Sequence, residues 1–192
     1  MRPDLIIARH GETEWNRIHR FQGKADSPLT AVGRQQAQDL TALLQDEGVV
    51  AGSHAIYTSP QGRSVATAAL ALDPLGLSAS EDPRLVEICV GAWTGLSRTE
   101  IDAKWPAPDP EEHWLDRYER APEGEGFAAL FARCAAFLEE LERPAVVFTH
   151  GITSRVLRAL ALGLSRADLD DLPGGQGCLH IIRDGQHLTR TP

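Results

Sequence analysis

Cysteine is scarce in this 192-residue chain: Cys89, Cys134 and Cys178 stand far apart and are odd in number. They form no CxxC pair, which argues against a disulfide framework and a thiolate zinc site and points to small core residues in a reducing compartment. The N-terminal apolar run, Leu5-Ile6-Ile7-Ala8, is too short for a signal peptide or a membrane span. A cytoplasmic protein with no membrane partner is expected. Positive charge is in deficit, with 19 Lys and Arg against 27 Asp and Glu and a formal net charge of −8. That balance disfavours nucleic acid as a partner. It also sets a condition: an anionic substrate needs positive charge concentrated at its site. No internal repeat and no low-complexity segment is seen.

What remains is ordinary for a globular domain, 42% apolar and 24% charged. The length suits a single domain over 1–192 that buries a core without staples, carrying a lid-like insert at about 92–125. Leu5-Ile6-Ile7-Ala8 reads as a buried strand. Thr30 caps a helix running to about Glu47, with Ala37, Leu40 and Leu44 on one face and Gly48 as the stop. Ala55-Ile56-Tyr57 is a second strand, followed by a helix from about Gly62 to Leu72. Residues 103–125, with Pro106, Pro108, Pro110 and Pro122, read as a surface excursion. A helix spans Gly126 to Glu142, Ala145 to Phe148 forms a third strand, and a helix runs from about Ile152 to Leu162. The tail reads as a hairpin turning on Asp184-Gly185. Strands alternating with helices imply an α/β three-layer sandwich. It has a mostly parallel central sheet, helices on both faces and an antiparallel edge from the C-terminal hairpin.

In such a sheet, ligands bind beyond the carboxyl ends of the strands. Three strand ends carry a polar signature: Arg9-His10-Gly11-Glu12-Thr13, then Thr58-Ser59-Pro60 with Arg63, then Thr149-His150-Gly151. Two arginines and two histidines should therefore meet at one edge. Arg9 and Arg63 can each fork onto phosphate oxygens. Gly11 and Gly151 let the backbone approach closely, and the helix near Ile152 offers amides and its dipole to an anion.

The run from Leu5 through Arg9-His10-Gly11-Glu12-Thr13-Glu14-Trp15-Asn16 resembles the signature of the histidine phosphatase superfamily, the phosphoglycerate-mutase-like proteins. So do Phe21-Gln22-Gly23, Asp26-Ser27-Pro28-Leu29-Thr30, Thr58 to Arg63, Arg84-Leu85-Val86-Glu87-Ile88 with Gly91-Ala92-Trp93, and Phe148-Thr149-His150-Gly151. The resemblance implies the family's α/β fold and a role for each matching residue. His10 becomes a nucleophile forming a phosphohistidine, and Arg9, Arg63 and His150 clamp the phosphoryl oxygens. Glu87 becomes the proton donor, and Asn16, Gln22 and the Gly23 backbone assist. No metal and no cofactor is implied, because arginines supply the charge. Val90 and Thr94 depart from the family's usual aromatic and acidic residues around Trp93, and Gly126 stands where serine is usual after Glu125.

The roles demand a neutral His10, which two neighbouring guanidiniums favour, and a protonated Glu87, so a bell-shaped pH–rate profile is expected. The same core serves hydrolysis and phosphoryl shuttling. The family's phosphoglycerate mutases are longer and carry paired arginines after a lid tryptophan. Here Trp114 is followed by Leu115-Asp116, and Asp116 is expected to repel a second anion, while Arg98, Arg117 and Arg120 lie near the site mouth. The expected activity is a phosphomonoesterase acting on a small phosphorylated substrate. A phosphoglycerate-type mutase is the alternative, and a catalytically dead phosphate-binding module the remote one.

Overall fold

Alternate residues of the first strand face different helices, and that alternation builds the molecule. The computed structural model describes residues 3–109 and 111–192; Met1, Arg2 and Pro110, one of the insert's four prolines, lie outside them. In chain order the elements are β1 (Leu5–Arg9), α1 (Glu14–Arg17), α2 (Ala31–Asp46), β2 (Ala55–Thr58), α3 (Gly62–Leu72), β3 (Ser80–Glu81), α4 (Arg98–Lys104), α5 (Gly126–Glu139), β4 (Ala145–Thr149), α6 (Gly151–Leu162), β5 (Leu179–Arg183) and β6 (Gln186–Arg190). Leu5 and Ile7 of β1, with Ala145 and Val147 of β4, pack with Phe127, Leu130 and Phe137 of α5 and Val156 and Leu157 of α6. Ile6, Ala8, Val146 and Phe148 pack on the other face with Leu40 and Leu44 of α2 and Ala68 and Leu72 of α3. Two dry layers on one sheet make the three-layer sandwich. Each buried leucine, isoleucine or phenylalanine contributes about 1.5–3 kcal/mol.

The sheet order is β3-β2-β4-β1-β5-β6. The pairs β3–β2, β2–β4 and β4–β1 are parallel, and β5 and β6 add the antiparallel edge. Asp184 and Gly185 at the hairpin tip both have positive φ, 52° and 70°, as a two-residue turn matching the strand twist requires. Thr30 caps α2 by accepting the Gly33 N–H at 3.0 Å. α5 ends at Glu139, short of the predicted Glu142, where the Leu141 N–H closes back on the Leu138 carbonyl in a tighter turn.

The region expected to wander over the surface instead packs down. Ile101, Leu115 and Ala121 are buried, and Trp105, Trp114 and Tyr118 lie against the core. Pro122 lies in a short turn beside the buried Ala121. At its base, the Ala92 N–H donates to the Pro122 carbonyl and the Glu125 N–H to that of Cys89. The Glu125 side chain accepts the Cys89 N–H and pairs with Arg133 at 2.9 Å, so it holds the acid loop and does not cap α5. No helix among the described residues is long and apolar enough to cross a membrane.

Candidate active site

Strand register brings the three polar ends together. Arg9 pairs with Thr149 and Thr58 with Phe148. The His10 N–H then donates to the Thr149 carbonyl at 2.9 Å, and the Ser59 N–H to that of Phe148 at 3.0 Å. The His10 and His150 rings come to rest 5.2 Å apart. A cavity of about 330 Å³ opens over this edge, lined by Arg9, His10, Asn16, Gln22, Gly23, Arg63 and Glu87 among others. His150 and Gly151 are not among its lining residues. A smaller pocket of about 70 Å³ leads off it, sharing Phe21, Arg98 and Tyr118 and walled by Trp93 and Trp114.

His10 is buried, at 2% exposure. Its Nδ1 lies 2.8 Å from the Gly11 carbonyl, which can only accept, so Nδ1 carries the proton and Nε2 the lone pair. The Arg63 Nε–H donates to that Nε2 at 3.3 Å, a long contact. Burial, then Arg9, then Arg63 push the His10 pKa well below its ordinary value, against the Gly11 hydrogen bond. The ring is neutral at pH 7.

The two arginines differ. Arg63 Nη1 donates to the Ala25 carbonyl at 2.8 Å and to Asp26 at 2.9 Å, and Nη2 donates to the Gly23 carbonyl at 3.1 Å. One Nη2–H remains free and the Nε–H is held only by the long His10 contact, so most of the fork that sequence reading offered to phosphate is occupied by protein. Arg9 Nε is buried and has no hydrogen-bond partner. Burial lowers the Arg9 pKa, and Glu87 opposes that. His150 is fully buried: Nε2 meets the Ser59 hydroxyl at 2.8 Å, Nδ1 has no partner, and burial followed by Arg63 drives its pKa well down.

Glu87 takes a position that was not foreseen. Its Oε1 accepts the Ile88 and Thr153 N–H groups and the Thr153 hydroxyl, and its Oε2 accepts the Ile152 N–H at 3.2 Å. The first amides of α6, expected to face an anion, are therefore spent on this carboxylate. Gln61, within the Thr58 to Arg63 stretch, fixes the loop: its Oε1 accepts the Glu87 N–H at 2.7 Å and its Nε2 donates to the Gly23 carbonyl at 2.7 Å.

Asn16 Oδ1 accepts from Thr13 at the start of α1, and Gln22 Nε2 donates to the Thr13 hydroxyl at 2.9 Å, leaving its buried Oε1 unpartnered. The glycines also divide. A Cβ on Gly11 would lie 2.2 Å from the Gly33 carbonyl oxygen, so this glycine serves packing of β1 on α2 and not a ligand. One on Gly151 would meet Arg9 at 3.5 Å and Glu87 at 3.7 Å, ordinary contact.

Two expectations about the mouth change. Asp116 does not line the cavity; it pairs with Arg166 on the outer side. Arg117 is bound to Asp102 at 3.1 Å, and Arg120 grips Glu112 at 2.6 Å. Only Arg98 of that trio reaches the main cavity. Sequence reading missed Tyr118, which lines the cavity and whose phenol pKa burial and then Glu87 raise. It also missed Gln176, whose glycine-rich loop carries no periodic signal.

The model of the histidine phosphatase superfamily, branch 1, matches residues 5–190. A Yersinia enterocolitica protein named as a probable phosphoglycerate mutase is 37% identical over 171 residues, covering 83% of this chain and 75% of the relative. The mycobacterial glucosyl-3-phosphoglycerate phosphatase, solved with VO3, superposes with a TM-score of 0.80 at 30% identity over 99% of this chain and 96% of that one. The alpha-ribazole phosphatase from Shigella flexneri does so with 0.79 at 27% identity over 98% and 95%. A matching signature, a matching fold and three strand ends converged on a neutral buried histidine agree: the chain belongs to the histidine phosphatase superfamily, as an enzyme of the phosphatase type.

Proposed function

We propose that the chain is a metal-independent phosphomonoesterase that hydrolyses a small phosphorylated metabolite through a phosphohistidine on His10 Nε2. One observation carries this reading. The His10 ring is neutral and buried, with its proton on Nδ1 and its lone pair on Nε2, beside two guanidiniums in one cavity. Nε2 exchanges its long contact with Arg63 for the phosphorus atom as the ester P–O bond breaks. Arg9 Nε, His150 Nδ1 and the freed Arg63 N–H groups take the phosphoryl oxygens and stabilise their charge. Glu87 gives its proton to the leaving alkoxide. It then takes one from the water that attacks the P–N bond, releasing inorganic phosphate and restoring His10.

Asn16, Gln22 and Gly23 frame the phosphate end. The outer end is walled by Phe21, Ile88, Val90 and Tyr118. The insert arginines Arg117 and Arg120 are already neutralised by Asp102 and Glu112, which favours hydrolysis over the capture of a second anion that a mutase requires. The reading carries with it a cytoplasmic location, the expectation set by the scarce cysteines. The decisive experiment incubates the protein with aryl phosphates and then with a metabolite panel, with His10→Ala as control. An acid-labile phosphoenzyme and one inorganic phosphate per ester consumed are expected. Isomerised phosphoglycerate alone, dependent on bisphosphoglycerate, would establish the mutase instead.

A further inference from the structure

The carbonyl that fixes the His10 tautomer belongs to a glycine. Gly11 is required there by the approach of Gly33, and glycine has no torsional preference of its own to hold that carbonyl in place. The hold comes from side chains on the flanking peptides. On the peptide between His10 and Gly11, the Gly11 N–H donates to Thr67 Oγ1 at 3.0 Å, and the His10 carbonyl accepts from Gln176 Nε2 at 3.1 Å. On the next peptide, the Glu12 N–H donates to Gln36 Oε1 at 2.8 Å. Gln176 Nε2 also donates to Asn16 Oδ1 at 3.2 Å.

Gln176 lies 166 residues from His10 in sequence, so its contact is made by the fold and not by a local turn. Its loop is tethered to α6. The Arg158 side chain donates to the Pro173 carbonyl at 2.9 Å, and the Arg155 Nε–H to that of Leu172 at 3.2 Å. A Cβ on Gly177 would lie 3.1 Å from Gln36 Cγ, so the loop also presses on the second clamp.

We propose that Gln176 is a positioning residue: it fixes the plane of the peptide after His10, and through the Gly11 carbonyl it keeps the imidazole proton on Nδ1 and Nε2 free to attack. The proposal rests on the reading of His10 as the nucleophile. Gln176 touches neither substrate nor reacting atoms in this role. Without Gln176 the peptide is held on its N–H side alone, by Thr67, which lets it tilt, shifts the Gly11 carbonyl off Nδ1 and moves part of the population to the Nε2–H form that cannot attack.

The test compares Gln176→Met, similar in length with no N–H, and Gln176→Glu, similar in shape with acceptors facing two acceptors. Two quantities are read: the rate of phosphoenzyme formation from phenyl phosphate, and the nitrogen-15 shifts of the His10 ring in the free protein. Phosphoenzyme formation should slow about tenfold in Gln176→Met and further in Gln176→Glu, with KM within about twofold. The His10 shifts should move from the Nδ1–H form toward a tautomer mixture. Wild-type rates with wild-type shifts overturn the proposal, and so does a slowed rate with unmoved shifts. If wild-type protein forms no phosphoenzyme, the phosphatase reading fails while the nitrogen shifts still decide the role of Gln176. Should Gln176→Glu fail to fold, Gln176→Met carries both measurements.

Discussion

Ser59 Oγ lies 2.8 Å from His150 Nε2 and accepts the Gln61 main-chain N–H at 3.3 Å. The proposed donor role of His150 needs its proton on Nδ1, the nitrogen with no partner, and that tautomer requires the Ser59 hydroxyl to direct its hydrogen at Nε2. In that arrangement Ser59 makes the neutral His150 a donor toward the phosphoryl group. Ser59→Ala should lower kcat about tenfold, and Ser59→Thr should restore most of it. Steady-state rates on phenyl phosphate with parallel melting curves check this, and an unchanged kcat in Ser59→Ala would refute it.

Glu87 holds two jobs that substitutions can separate. The amide oxygen of Glu87→Gln still accepts the Thr153 N–H while its NH2 gives up the Ile152 bond, so the variant should stay folded with a melting temperature a few degrees lower while losing on the order of a hundredfold in kcat. The loss should be smaller with p-nitrophenyl phosphate, whose leaving group needs no proton. Glu87→Ala should additionally cost about 1 kcal/mol of stability as the cap disappears, readable by urea denaturation.

His10 attacks only when neutral, so the active fraction rises with pH through its pKa. Burial, Arg9 and Arg63 hold that pKa well below the ordinary histidine value in the free protein, which places the His10 acid limb of kcat/KM well under pH 6.5. Arg9→Met removes one depressing charge, so its acid limb should move upward toward neutrality; substrate ionisation is common to both proteins. The same shifts set stability. His10, His150 and His180, the last depressed to about 3 chiefly by burial, bind fewer protons folded than unfolded below about pH 6.5. Their contribution is complete above that pH and is lost as pH falls, so melting temperatures should decline steadily toward pH 3. A melting temperature that stays level between pH 6.5 and 4 would contradict this.

The two site glycines should respond differently to alanine. Gly11→Ala forces a methyl against the Gly33 carbonyl and should destabilise by at least about 1–3 kcal/mol. Gly151→Ala adds a methyl in ordinary contact with Arg9 and Glu87, so folding should persist while phosphate affinity falls. Chemical denaturation and vanadate or phosphate inhibition distinguish them.

The strand ends were legible because each motif sits where its strand stops, and parallel register does the rest. The long helices were legible from their apolar stripes and from the Thr30 cap. β3 was not: two exposed residues, Ser80 and Glu81, carry no alternation. α4 did leave a sign, the Ser97 to Glu100 capping box, obscured by the prolines that follow it. The occupation of the α6 amides by Glu87, the tether of Arg63 to Asp26 and the reach of Gln176 are long-range contacts. No local pattern encodes them, and they depend on how the loops settle over a sheet already formed.

The stitched base of the insert has a consequence for how such a protein diversifies. Residues 89–92 and 122–125 run side by side, joined by the Cys89–Glu125 and Ala92–Pro122 bonds and pinned to α5 through Arg133. What lies between these stems is anchored in the core by Ile101 and Leu115 and bonded to the loop before Gln22 and Gly23, the Phe21 N–H donating to the Leu96 carbonyl and the Gly95 N–H to that of Phe21. A change in the length or lining of this stretch therefore reaches the residues proposed to frame the phosphate, so substrate range and phosphoryl handling should drift together in the lineage.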